Sequence, residues 1–263
     1  MNALFFQVDA FTTQVFSGNS ACVVALERWS DDATLQNIAR ENAVAETAFL
    51  VANQGHYHLR WFTPDIEIDL CGHATLAAGH VVLNHLEPER IAVSFETSSG
   101  NLEVQRFEDR YRMDLPNRTP TAADLPKSIS ESLSAQPLEI LKARDFVLVY
   151  PHESDVARLM IDRPLFDRIN LGPGGVAVTA PGTNCDFVSR FFTPQATILE
   201  DPVTGSAHCS LAPFWSDRLG KKTLNARQIS ARGGELQCEV LDNRVLVFGH
   251  AITFATGQIQ FGK

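Results

Sequence analysis

Several features that would assign this chain to a large protein class are missing. Basic charge is not in excess: 22 Lys and Arg stand against 31 Asp and Glu, a formal net charge of −9 over 263 residues. Without a basic patch or stripe the electrostatic footprint of nucleic-acid binding is absent, and the acidic balance serves solubility. No stretch approaches the ~18 consecutive apolar residues of a membrane span, so no membrane partner is expected. The opening MNALFFQVDAF lacks the basic start and long apolar run of a signal peptide and reads as a strand. Cysteine is sparse: Cys22, Cys71, Cys185, Cys209 and Cys238 form an odd set with no CxxC pair. That excludes a disulfide framework and fits a reducing cytoplasm. GxSxG is absent, which removes the usual signature of a serine hydrolase. GxGxxG is absent too, and Leu-Gly-Pro-Gly-Gly at 171–175 leads into a strand, not a helix. No cofactor site is read.

What the chain does have is a long internal repeat. WFTPDIEIDLCGHATLAAGHVV runs from Trp61 to Val82, and FFTPQATILEDPVTGSAHCSLAPFW from Phe191 to Trp215. Trp61 and Phe191 lie 130 residues apart, whereas Gly72-His73-Ala74 and Gly205-Ser206-Ala207 lie 133 apart, so the second copy carries an insertion of three. Each copy places an aromatic pair and Thr-Pro before an acidic segment, then opens an apolar helix on glycine, over about 72–85 and 205–219.

Around these helices the pattern is short strands. Leu4–Ala10, Ala21–Leu26, Val44–Val51 and Tyr57–Thr63 alternate or are continuously apolar, as are Phe146–Tyr150 and Asp186–Thr193 in the second half. Gly18-Asn19 is a turn signal, and Ser30-Asp31-Asp32 caps a helix start. A three-strand meander follows each central helix. The segment with Pro116, Pro120, Pro126 and Pro137 marks a boundary, giving lobes of 1–118 and 119–263. The last strand, 251–260, is placed to return to the N-terminal lobe, since chain ends often meet. A helix apolar all round must be enclosed, and a curved sheet rolled about it is the simplest enclosure. Strands outnumber helices, so the class is α+β and not doubly wound.

The two helix starts are the strongest candidate sites. First-turn N–H groups lack intrahelical partners, the macrodipole adds positive charge, and glycine at 72 and 205 permits close approach. Two such ends across a cleft would hold a carboxylate. Glu46 sits in an otherwise apolar strand, where burial would raise its pKa and suit it to acid/base work; the alternative is a strand-edge carboxylate facing water. His73 and Asp201 add polar groups at the helix starts. Asp201 and Ser206 are equally explained as helix caps. Cys71, His73, His208 and Cys209 suggest a metal but match no standard zinc spacing, so no metal is expected. Asp201, Ser206 and His208 lie too close in sequence to form a hydrolase relay easily.

VDAFTTQVFSGNSACVV, AETAF around Glu46, RWFTPDIEIDLCGHATLAAGHV and DFVSRFFTPQATILEDPVTGSAHCSLAPFW together resemble the PhzF family of phenazine-biosynthesis isomerases. The resemblance covers nearly the whole chain. It implies a fold like that of diaminopimelate epimerase: two lobes, each a mostly antiparallel barrel around a central helix, with the site between them. It implies cofactor-independent isomerisation of a small carboxylic acid. Glu46 matches the proton-carrying glutamate, and His73, Asp201 and Ser206 match polar site residues. Gly72 and Gly205 match glycines whose N–H groups hold the substrate carboxylate. A homodimer also follows from the resemblance alone. Cys71 stands where the epimerase has its first catalytic cysteine, but the second copy reads Pro-Val-Thr-Gly-Ser at the matching point, which speaks against a two-thiol racemase. The phenazine enzyme itself has alanine before its Gly-His, so the phenazine substrate is not implied. The alternatives are a binding protein that kept the site and lost catalysis, and a racemase or epimerase.

Overall fold

A computed structural model describes residues 2–262. It contains two compact units, one formed by the residues up to Asp114 with those from Phe248 on, the other by Leu115–Val247. In the first unit β1 (Asn2–Ala10) alternates and buries Phe6, Val8 and Ala10. The chain turns through Gly18, where φ is +65° and an added Cβ would lie 2.2 Å from the Ala10 carbonyl oxygen, so only glycine fits. This turn delivers β2 (Asn19–Leu26) antiparallel to β1. Helix α1 (Asp32–Asn42) is capped by the Asp31 carboxylate, which accepts from the Thr34 N–H, and stops at Ala43 in the left-handed region. Its buried stripe of Leu35, Ile38 and Ala39 packs on Val24, Phe49 and Phe62 of the sheet.

β3 (Glu46–Asn53) runs parallel to β2, and β4 (His56–Phe62) antiparallel to β3. β5 (Glu67–Ile68) folds back on the end of β4 and feeds α2 (Gly72–Val81). Every residue of α2 is buried. β6 (Ala92–Thr97) lies parallel to β4, β7 (Gly100–Phe107) antiparallel to β6, and β8 (Arg110–Pro116) continues from β7. The sequence predicts a helix over 72–85; the α-helix ends at Val81, and Val82–Leu86 form a wider turn in which the Glu87 N–H reaches the Val82 carbonyl at 2.7 Å, five residues back.

In the second unit β9 (Thr121–Ala122), α3 (Lys127–Ser132), β10 (Glu139–Lys142), β11 (Phe146–Val149), α4 (Glu153–Arg158) and α5 (Arg163–Phe166) precede β12 (Val176–Pro181) and β13 (Phe187–Phe192). β14 (Glu200–Asp201) leads to one 3₁₀ turn, Gly205–Ala207, and then to α6 (His208–Leu219). β15 (Thr223–Gln228), β16 (Gly234–Val240), β17 (Arg244–Gly249) and β18 (Ala251–Gln260) complete the chain. The pairings repeat those of the first unit step for step. β11 and β12 are parallel as β2 and β3 are, β13 is antiparallel to β12 and β14, and β15 is parallel to β13. Helices α3 to α5 cover the other face of this sheet, with Ile129, Val156 and Phe166 on Leu148, Val178 and Phe192.

Both central helices are held in place by specific chemistry. α2 touches β1, β2, β3, β7 and β18, the enclosure an apolar helix requires. In α6 Pro213 has no N–H for the Cys209 carbonyl one turn back, and the Arg118 N–H takes that acceptor instead at 2.9 Å. β18 pairs with β1 from Asn2↔Gln260 to Ala10↔Ala251, so the chain's end belongs to the first unit. Among the described residues, no helix is long and apolar enough to cross a membrane.

Candidate active site

The first unit gathers its chemistry where β2, β3 and α2 begin. Glu46 is the first residue of β3 and is paired with Ala21 of β2. His73 is the second residue of α2 and fully enclosed. Their Oε2 and Nε2 atoms lie 3.0 Å apart. Neither of these buried atoms has an aligned hydrogen-bond partner, so the contact is one of charge. Buried polar atoms left this way are uncommon in native proteins and point to function. The other ring nitrogen, Nδ1, meets the Asn19 amide at 3.0 Å and the Cys71 sulfur at 3.6 Å. A neutral His73 accepts there from the Asn19 N–H, whereas a charged ring, donating from both nitrogens, has no acceptor to offer it.

Burial disfavours a charge on His73, but Cys71 first and Glu46 second, through charge and hydrogen bonding, outweigh it, and the imidazole pKa is raised well above the ordinary histidine value. The Cys71 thiol is pushed up as well, first by burial and then by the Glu46 charge. Cys71 occupies the cap position of α2 without a side-chain capping bond, which leaves the first-turn donors of the helix to other partners. Carboxylate, imidazole and thiol ligand atoms all fall within 4.8 Å of one another, so these three residues also meet the distance condition for a thiophilic cation.

The second unit repeats the plan with different groups. Ser206 stands where His73 does, and its hydroxyl receives an Arg144 Nη2 hydrogen bond at 3.1 Å, as His73 meets Asn19. Arg144 is also bound to Asp145 at 3.2 Å. The position matching Glu46 is Gly175, one residue before the strand partner of Phe192, and a side chain there would strike the Phe191 ring at 2.5 Å. The second unit thus has no side chain at the position of Glu46, and the Asp145 carboxylate accepts from the Gly175 N–H there at 2.9 Å.

Asp201 does not cap the helix, as a sequence reading of Asp-Pro allows: it lies in β14, and its carboxylate accepts from the Thr204 hydroxyl. Gln228 then ties the segment down, donating to the Asp201 carbonyl at 2.7 Å and accepting from the Thr204 N–H at 2.8 Å. Nor does Ser206 make a cap bond. His208 takes no part in a relay with Asp201 and Ser206. Its Nδ1 bonds the Thr204 carbonyl at 2.9 Å, its ring packs on Phe187, and burial lowers its pKa to about 4. It is a core histidine. Asn19 and Arg144 are the residues that sequence reasoning passed over. Asn19 was legible only as half of a turn signal, and Arg144 carries no local motif.

The PhzC–PhzF family model, described as phenazine biosynthesis-like protein, matches residues 8–257. The chain belongs to the PhzC–PhzF family. An uncharacterized isomerase of Pseudomonas aeruginosa is 46% identical to this family member over 260 residues, covering 98% of this chain and 99% of that one. The crystal structure of a PhzF-family phenazine biosynthesis protein from Enterococcus faecalis superposes with a TM-score of 0.92 at 44% identity, over 99% of this chain and 100% of that chain. A probable proline racemase from Agrobacterium radiobacter gives a TM-score of 0.66 at 11% identity, covering 99% and 93%, a likeness of fold alone. The PhzF-family chain is thus an α+β protein of the diaminopimelate-epimerase-like kind and, at family level, a small-molecule isomerase.

Proposed function

We propose that this isomerase moves a proton within a small carboxylate-bearing molecule without a cofactor, and that Glu46 carries the proton. The supporting observation is the Glu46–His73 pair, whose facing atoms are buried and 3.0 Å apart with neither in an aligned hydrogen bond. Glu46 takes a proton from one carbon, the electron pair of that C–H bond shifts into the adjoining unsaturated system, and the same carboxyl returns the proton at another carbon. His73 and the first-turn N–H groups from Gly72 onward stabilise the negative charge that develops between the two steps. Taken by itself, the second unit offers the Gly205 N–H, the Ser206 hydroxyl and the Arg144 guanidinium as a group suited to an anion, with Asp201 as an assisting carboxylate.

The test is a screen of cyclic and acyclic amino and hydroxy acids in deuterated buffer, followed by NMR. The wild type incorporates solvent deuterium at carbon in its substrate, and Glu46→Gln lowers the rate by 10² to 10⁴-fold or more (roughly the range for a lost general base). Retained exchange in E46Q defeats the proposal. A ligand that binds tightly and never exchanges marks a binding protein instead. Cys71, 3.6 Å from His73 Nδ1, motivates a one-thiol epimerase as the second reading. Under that reading Cys71→Ser, not E46Q, abolishes exchange.

A further inference from the structure

We propose that the first unit carries a divalent transition-metal site on the surface of its sheet, formed by His56, His58 and Glu96. His56 and His58 are two residues apart on β4 and therefore share a face, and Glu96 of β6 is the direct parallel partner of His58. The two imidazole rings stack at 5.6 Å with 21° between their planes. Both Nε2 atoms converge on one carboxylate oxygen, Glu96 Oε2, at 3.2 and 3.3 Å. The three ligand atoms lie within 4.8 Å of one another, on side chains 33%, 34% and 53% exposed, so an ion can reach them from solvent.

The hydrogen bonding around this point is in conflict. The Asn53 side-chain nitrogen lies 3.2 Å from His56 Nε2 and 2.6 Å from His58 Nε2. Each ring nitrogen thus faces an amide donor and a carboxylate acceptor at once, and a single nitrogen satisfies only one of them. A cation at the point of convergence removes the conflict. It takes both imidazole lone pairs and the carboxylate, and the Asn53 amide turns its oxygen inward as a further donor atom. Two imidazoles with one carboxylate suit a borderline metal such as Zn²⁺, and the Asn53 oxygen brings the protein ligands to the four of a tetrahedral site. The ligands come from adjacent strands of one sheet, so little ordering is needed before the ion binds.

Binding of zinc chloride to metal-depleted full-length protein, followed by calorimetry and by elemental analysis after dialysis, tests this. Cys71→Ser serves as the background, because it removes the thiol of the buried Glu46–Cys71–His73 group. The expected result is one Zn²⁺ per chain with a Kd in the micromolar range or below, and a thermal midpoint raised by zinc. In that background His56→Gln, His58→Gln and Glu96→Gln each raise Kd at least about tenfold. All three side chains are partly exposed, so metal-free melting of the variants stays near that of the parent. No binding in the C71S background, binding only at millimolar zinc, or an unchanged Kd in the H56Q/H58Q double variant overturns the proposal.

Discussion

Among single residues His73 has the most consequential surroundings. It is enclosed at the start of α2, with Glu46 at 3.0 Å on one ring nitrogen and Asn19 and Cys71 on the other. Its raised pKa ties folding to pH in a definite sense. An unfolded histidine titrates near ~6.5, and the folded one holds its proton to higher pH. The pair's contribution to stability is therefore fully present below ~6.5 and is lost as pH rises through the folded value. His73→Gln keeps a polar side chain and removes the titration. We expect the stability difference between wild type and H73Q, read as urea midpoints from slightly acid to mildly alkaline pH, to shrink as pH rises. A difference that is constant or widens with pH would show that Cys71 and Glu46 do not raise the His73 pKa. The Glu46–His73 contact spans 27 positions of sequence, and the Ser206–Arg144 bond spans 62. Neither follows from a local motif, which is why Asn19 and Arg144 stay invisible until β2 and β11 are placed beside the helix starts.

At the scale of elements, α2 is fixed by what it cannot accommodate. Gly79 faces β7, and an added Cβ would lie 2.4 Å from Val104 Cγ1 and 2.6 Å from Val104 Cβ. Gly→Ala inside a helix ordinarily stabilises by up to ~1 kcal/mol, but overpacking a closed core costs about 1–3 kcal/mol. The Val104 Cβ cannot rotate away, so the clash wins. Gly79→Ala is expected to lower the thermal midpoint, and adding Val104→Ala to recover part of the loss. A midpoint raised by G79A alone would mean that β7 yields freely. The elements themselves were largely readable in the sequence. Period-2 runs gave β1 and β4, a continuous apolar run gave β3, Asp31 gave the start of α1, and the two Thr-Pro motifs gave matching strand–helix turns. Ends were less so. The wide turn at Val82–Leu86 depends on how the helix leaves its enclosure, and the apolar pattern runs straight through it. The cap that Asp-Pro allows at Asp201, the alternative to a site role, does not form, because the pairing of Asp201 in β14 with Phe191 in β13 is a long-range event.

Across the whole molecule, each unit buries a neutral histidine on or beside its central helix. In the first, His80 bonds Tyr111 at 3.0 Å and Thr253 at 2.8 Å, and burial, with the charges of His85 and Arg106 behind it, lowers its pKa to about 4. In the second, burial lowers His208 to about 4. For both groups the folded value lies below the unfolded ~6.5, so the unfolded chain binds protons that the native state refuses. Stability then falls as pH drops from ~6.5 towards 4, by on the order of 3 kcal/mol for each group over the full interval. That is a large share of the roughly 5–15 kcal/mol typical of a folded protein. Carboxylates with lowered pKa, such as Asp186 beside Lys221, lose their contribution only below ~4, so the window from ~6.5 to 4.5 isolates the histidines. His85, its pKa also lowered by burial, adds to the first unit's share. Urea unfolding across that window should show midpoints that decline with acidity in the wild type and decline less in His80→Gln and His208→Gln. If the two units unfold in separate steps, H80Q flattens only the step of the first and H208Q only that of the second; if they unfold together, either variant flattens the single transition. A wild-type midpoint level across the window would mean that both histidines are protonated in the native state, and that the central helices are less completely enclosed than this packing requires.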